Sequence, residues 1–170
     1  MQYRLVCISV LAAVGLWASS NWAETPREMS WLDSLIFAPD TIAIKGRRYF
    51  LSARASRDFM PTPEASEEIH RNGRPLSVGV RLIAGDSLAI PKSLNLDSAW
   101  VINVWTLETW GVKLRQQEWG RHHNVLEKFA GGGPMWDPGT PVDIVARIVA
   151  KNNKKRYLLR VPTQPISRDE

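Results

Sequence analysis

The stretch LSVGVRLIA, Leu76 to Ala84, constrains the fold most, because Leu76, Val78, Val80 and Leu82 alternate strictly with Ser77, Gly79 and Arg81. A period of two places one set of side chains on one face, as in a strand that lies against a core. A second segment, PVDIVARIVA from Pro141 to Ala150, is apolar on both faces, the pattern of a strand covered on both sides. RYLLRVP, Arg156 to Pro162, follows it after KNNKK, so the two form a hairpin whose turn asparagines tolerate left-handed backbone.

Other segments add to this set. TIAIKGRRYFLSARAS, Thr41 to Ser56, reads as two strands joined at Lys45-Gly46, with Ile42 and Ile44 in the first and Tyr49, Leu51 and Ala53 sharing a face of the second; a hairpin or a strand with a Gly bulge fits. SLAIP, after the Gly85-Asp86 turn, reads as another strand. AWVINVWTLETWGVKL, Ala99 to Leu114, is β-branched and aromatic, giving two strands broken near Thr106 or at Gly111. In RQQEWGRHHNVLEKFA, Arg115 to Ala130, the spacing of Trp119, His122, Val125, Leu126 and Phe129 by threes and fours predicts an amphipathic helix. A short helix is also predicted from Pro63 to Arg71, with Thr62 as its N-cap.

About seven short strands and one or two short helices, without regular βα alternation, predict a mainly β protein built as an antiparallel β-sandwich. An immunoglobulin-like arrangement is one architecture such a count allows, although the usual Cys and Trp markers are absent. With 170 residues, 44% of them apolar, the chain can bury one real core. The expected organisation is a signal peptide over 1–20, a tether over 21–39 with one helical turn at most, a β-rich domain over 40–162 and a polar tail over 163–170.

The signal reading rests on Arg4, the apolar run Leu5 to Trp17 and the small residues Ala18, Ser19 and Ser20. Cleavage after Ser20 suits the small-residue rule better than cleavage after Ala23, and an uncleaved anchor is the alternative. Cys7 is the sole cysteine, so a processed chain has no disulfide, thiolate nucleophile or thiolate metal site. The formal charge of +5 falls by one when Arg4 is removed, a balance that favours anionic surfaces only weakly.

Three consecutive glycines, in FAGGGPMWD (129–137), invite a phosphate-loop reading. Such a loop needs a strand before it and a helix after it, with a Lys-Ser or Lys-Thr pair. Here the predicted helix precedes Gly131 and a strand follows Pro141, so Gly131 is expected to end the helix in left-handed backbone, with Pro134 blocking its resumption. His122 and His123 would point about 100° apart on that helix and cannot share a metal, and nothing recruits His70 as a third ligand. No Gly-x-Ser-x-Gly elbow occurs. A hydrolase would need a pair of carboxylates from among Asp58, Asp97, Glu108, Asp137 and Asp143 to meet in space, which their spacing does not establish.

Tryptophan is the unusual feature: the chain has eight, and Trp100, Trp105 and Trp110 fall within eleven residues. On a strand Trp100 and Trp105 face opposite ways, so at least one ring lies outside the main core and is available for a sugar or a protein surface. Trp105, Trp110 and Trp136 are the candidate contact residues, with Trp110 expected to be the more exposed because Gly111 lets a strand bend or end there. The basic run Lys151 to Arg156 has no interleaved aromatics of the kind that hold single strands and is expected to be a solvated tip.

The expected function is that of an exported, periplasmic or secreted, non-catalytic binding or envelope-accessory domain. Its partner is expected to be a protein or an envelope polymer, with no nucleic acid, no cofactor, no metal, and membrane contact only through an uncleaved signal. The alternatives are an envelope hydrolase with acidic residues at a sheet end and a carbohydrate-binding module with exposed Trp rings.

Overall fold

A computed structural model describes residues 30–61, 67, 72–116 and 121–170. The expected signal segment, His70, Glu118, Trp119 and all but one residue of the helix expected from Pro63 to Arg71 lie outside the described residues. In chain order the elements are α1 (Trp31–Ile36), β1 (Thr41–Ile44), β2 (Arg47–Asp58), β3 (Ser77–Ala84), β4 (Leu94–Asn103), β5 (Thr109–Lys113), β6 (Arg121–His122), β7 (Val125–Ala130), β8 (Pro141–Ala150), β9 (Lys155–Pro165) and β10 (Ser167–Asp169).

Two sheets face each other. The first has the order β1-β2-β3-β7-β6, with β10 added in parallel to β2, and the second has the order β5-β4-β8-β9. Strand β1 pairs with residues 47–50 of β2 and β10 with residues 56–58 of the same strand. The chain changes sheet between β3 and β4, between β5 and β6, between β7 and β8, and between β9 and β10. If β2, β3, β7 and β6 stand for A, B, E and D, and β9, β8, β4 and β5 for G, F, C and C′, the order is that of immunoglobulin-type sandwiches. The Trp on the strand in the C position, Trp100, packs with the small outer cluster beneath α1 and under the Arg147 guanidinium instead of in the inter-sheet core.

The alternating strands meet between the sheets. Tyr49, Val78, Val80, Leu82 and Leu126 from the first sheet pack against Leu96, Val101, Ile144, Ile148 and Leu159 from the second. Strand β8 is apolar on both faces because both are covered: Ile144 enters this core, while Val145 joins Ile102 and Leu35 of α1 in a second cluster on the outer side. Helix α1 starts with a capping box, in which the Ser30 hydroxyl accepts from the Asp33 backbone and the Asp33 carboxylate accepts from the Ser30 backbone. The segment expected as a tether therefore docks from Trp31 onward. Arg160 fixes it by donating from its guanidinium to the Ile36 carbonyl and from its backbone N–H to Pro39.

The structure corrects several expectations. Residues 115–130 form no amphipathic helix in their described part; Arg121–His122 and Val125–Ala130 are an antiparallel hairpin. The strand alternation was hidden there because Lys128 sits on the core side opposite Val80 and Phe129 on the outer side opposite Gly79. SLAIP is a loop whose carbonyls at Leu88 and Ala89 accept from the Arg47 guanidinium, which replaces a partner strand. The C-terminal residues, expected as a loose polar tail, contain the end of β9, the buried Ile166 and β10. In the β8–β9 turn the left-handed residue is Lys154 (φ 56°), not an asparagine.

Candidate functional site

Two loops define one end of the sandwich. The β4–β5 connection starts at Asn103, whose side-chain oxygen accepts from the backbone N–H groups of Trp105 and Thr106 and turns the chain sharply. Leu107 follows in left-handed backbone at φ 60°. This turn leaves the Trp105 ring 72% exposed. It also delivers Glu108, whose carboxylate accepts from the Trp136 indole N–H at 3.0 Å.

The glycine loop lies opposite. It follows strand β7, not a helix, and the left-handed residue is Gly132 (φ 84°), so the role expected for Gly131 belongs to its neighbour. Gly133 serves a separate purpose: a Cβ there would lie 2.8 Å from the Trp110 ring, a distance no side chain tolerates. Its backbone N–H donates to Leu76, and the Leu76 N–H donates back to Pro134, which ties the loop to the start of β3. Gly132 thus reverses the chain, and Gly133 lets an aromatic ring lie against backbone.

An open groove results, lined by Glu108, Trp110, Gly132, Pro134 and Trp136. Trp110 and Trp136 are half-buried, with their inner edges against the main core. Trp105 does not line this groove but stands on the loop that carries Glu108. The structure thus brings two of the three expected tryptophans together and leaves the third beside them. Their order of exposure is the reverse of that expected, since Gly111 pairs opposite Trp100 inside β5 and the strand continues through it to Lys113.

In the sequence Glu108 stands out only as one of the five candidate acidic residues. Its use as the polar partner of Trp136, twenty-eight residues away, has no local signal. The other acidic residues are dispersed. Asp97 sits at a bulge in β4 and forms paired hydrogen bonds with Arg147. Burial opposes its ionisation, but the Arg147 hydrogen bonds and charge, with Ser98 and Arg156, outweigh that and hold its pKa below the ordinary value. Asp143 is buried and accepts from Arg160 and the Thr163 hydroxyl. Asp58 caps Met60 and meets Arg74, and Asp137 is exposed on the glycine loop. Among the described residues no three of His, Cys, Asp and Glu gather around a common point where a metal could sit. His123 lies exposed in the β6–β7 turn.

Comparison with protein-family models, with curated proteins and with solved structures finds no match to this chain. The class of the molecule, an antiparallel β-sandwich with an aromatic groove at one end, follows from its own geometry.

Proposed function

We propose that this protein is an exported binding domain that holds a protein or polymer of the cell envelope at its aromatic end, without performing chemistry on it. The observation that carries the reading is the groove between Trp110 and Trp136. Its rings are set by Gly133 and by the Glu108 hydrogen bond, with a further ring, Trp105, presented to solvent beside it. Rigid aromatic surface offers contact area at little entropic cost, which is why such residues dominate binding hot spots. A carbohydrate partner is the second reading, favoured by a carboxylate placed next to ring faces that can stack on a sugar.

Export is part of the proposal and rests on Arg4 and the Leu5 to Trp17 run. N-terminal sequencing of protein from the envelope fraction is expected to begin near Asn21 or Glu24, and an intact Met1 on cytosolic protein would refute export. For binding, tryptophan fluorescence is titrated with soluble cell-wall glycan fragments and with solubilised envelope proteins. Trp105→Ala is expected to weaken the interaction by about 2 kcal/mol or more while leaving the melt within about 0.5 kcal/mol of the parent. Trp110→Ala lowers both, because its ring packs on Gly133 and the core. Unchanged binding by Trp105→Ala and Trp136→Ala together would remove the aromatic end as the contact surface.

A further inference from the structure

The opposite end of the sandwich has a different chemistry. There the β1–β2 turn, the turn before β4 and the β8–β9 turn lie side by side, the last two joined by the Lys151 N–H donating to the Ser93 carbonyl at 2.8 Å. They present Lys45, Lys92, Lys151 and Lys154, and Lys155 follows at the start of β9. All five are exposed, and none forms an ion pair with another described residue. Among the described turns at this end the acidic residue is Asp86, and both of its oxygens are occupied by Arg47. Five cations from three stretches of sequence therefore repel one another with no ion-pair partner among the described residues, a cost that an anionic partner would remove.

Between the turns lies a pocket of about 380 Å³. Lys45, Lys155 and the Asn152 and Asn153 turn residues form its polar rim, and Ile44, Leu94, Ala150 and the rings of Tyr49 and Tyr157 supply apolar walls. Such a division suits an amphiphile. A free phosphate would meet the rim and leave the apolar walls unfilled, and a rod-like polyanion would need charge along a track more than an apolar-walled hole. An anionic phospholipid offers a phosphate to the lysines and the root of its acyl chains to the walls.

We propose that this end of the sandwich docks on an anionic phospholipid surface, with the three basic turns at the headgroups and the pocket between them accepting one lipid. The site is separate from the aromatic groove and does not rest on the function proposed for it. It leaves that groove, at the other end of β4, facing away from the membrane.

The test is co-sedimentation of the protein, as purified from cells, with phosphatidylcholine vesicles containing about one-third phosphatidylglycerol or none, at near-physiological salt. Binding is expected to the anionic vesicles and to fall as salt rises. Lys45→Gly removes a charge and also relieves left-handed backbone at φ 52°, so it keeps the fold and is expected to weaken binding about fivefold. The combined Lys151→Glu, Lys154→Glu, Lys155→Glu variant, altered only at exposed positions, is expected to lose binding with an unchanged melt. Arg168→Gln, at the other end, is expected to bind as the parent does. Equal binding to neutral vesicles, or anionic binding that survives the triple variant, would overturn the proposal. So would lysine-dependent capture by heparin without vesicle binding, which would assign the basic turns to a polyanion. Displacement from vesicles by inorganic phosphate beyond the effect of chloride at equal ionic strength would overturn it as well, in favour of free phosphate.

Discussion

Gly131, Gly132 and Gly133 are chemically identical but not equivalent in the fold. Gly132 supplies a left-handed turn, Gly133 makes room for the Trp110 ring, and Gly131 does neither: a Cβ there would meet Phe129 at an ordinary 3.7 Å. Substitution should separate them. Gly133→Ala is expected to lower stability by about 1–3 kcal/mol, because the contact it creates is with a ring wedged against the core and cannot relax cheaply. Gly131→Ala is expected to be close to neutral, and thermal melts of the two variants side by side check the assignment. The sequence marked this stretch as a turn, and glycine run plus Pro134 was enough for that. Which glycine was indispensable depended on Trp110, twenty-three residues earlier, and no local pattern connects the two.

At the scale of elements, legibility followed coverage. Strands with one inward and one outward face, such as β3, announced themselves by alternation, and β8 announced itself by carrying apolar residues on both faces. Its inward residue Ile144 is fully buried, with Val142, Ala146 and Ile148 along the same strand equally so. Ile144→Asp is therefore expected to cost several kcal/mol, on the order of a marginal domain's whole stability, by placing an unpaired carboxylate between the sheets. Cooperative melting of that variant near the parent temperature would contradict the placement of β8. Strand β7 hides its alternation because two of its six residues contradict the rule: Lys128 is on the core side and Phe129 on the outer side. Strand β10 was invisible because backbone pairing with β2, together with the Arg54 guanidinium bonding Ser167 and Asp169, holds a polar tripeptide that has no period to detect.

For the whole molecule, charge pairs tie distant loops together and give the fold an acid dependence. The Arg47 hydrogen bonds hold the Asp86 carboxyl at a pKa of about 2, and Asp97 is also below its ordinary value despite its burial. Both folded-state values lie below the unfolded value of about 4, so the unfolded chain takes up protons first as pH falls. The contribution of these pairs is complete above pH about 4 and is lost as pH descends toward 2. Melting temperature is expected to be flat from pH 7 to 5 and to decline below 4. Asp97→Asn should start lower at pH 7 and decline less steeply, and a parallel decline in both proteins would show that Asp97 does not contribute.

The class of the fold is written in the local pattern of the chain, because an apolar period of two is a property of neighbouring residues and dictates which faces must be buried. That pattern also determined the hairpin at Lys45-Gly46, the hairpin around residues 151–154 and the break between β4 and β5, since turn chemistry is local. Which strands became neighbours, and that α1 covers β8, depends on contacts across the folded chain. The same holds for Trp110 and Trp136 sharing a groove and for five lysines gathering at the other end. Each of those outcomes joins residues from separate sheets or loops, and the free energy that selects among them comes from packing and charge across the interior, which no stretch of chain contains alone.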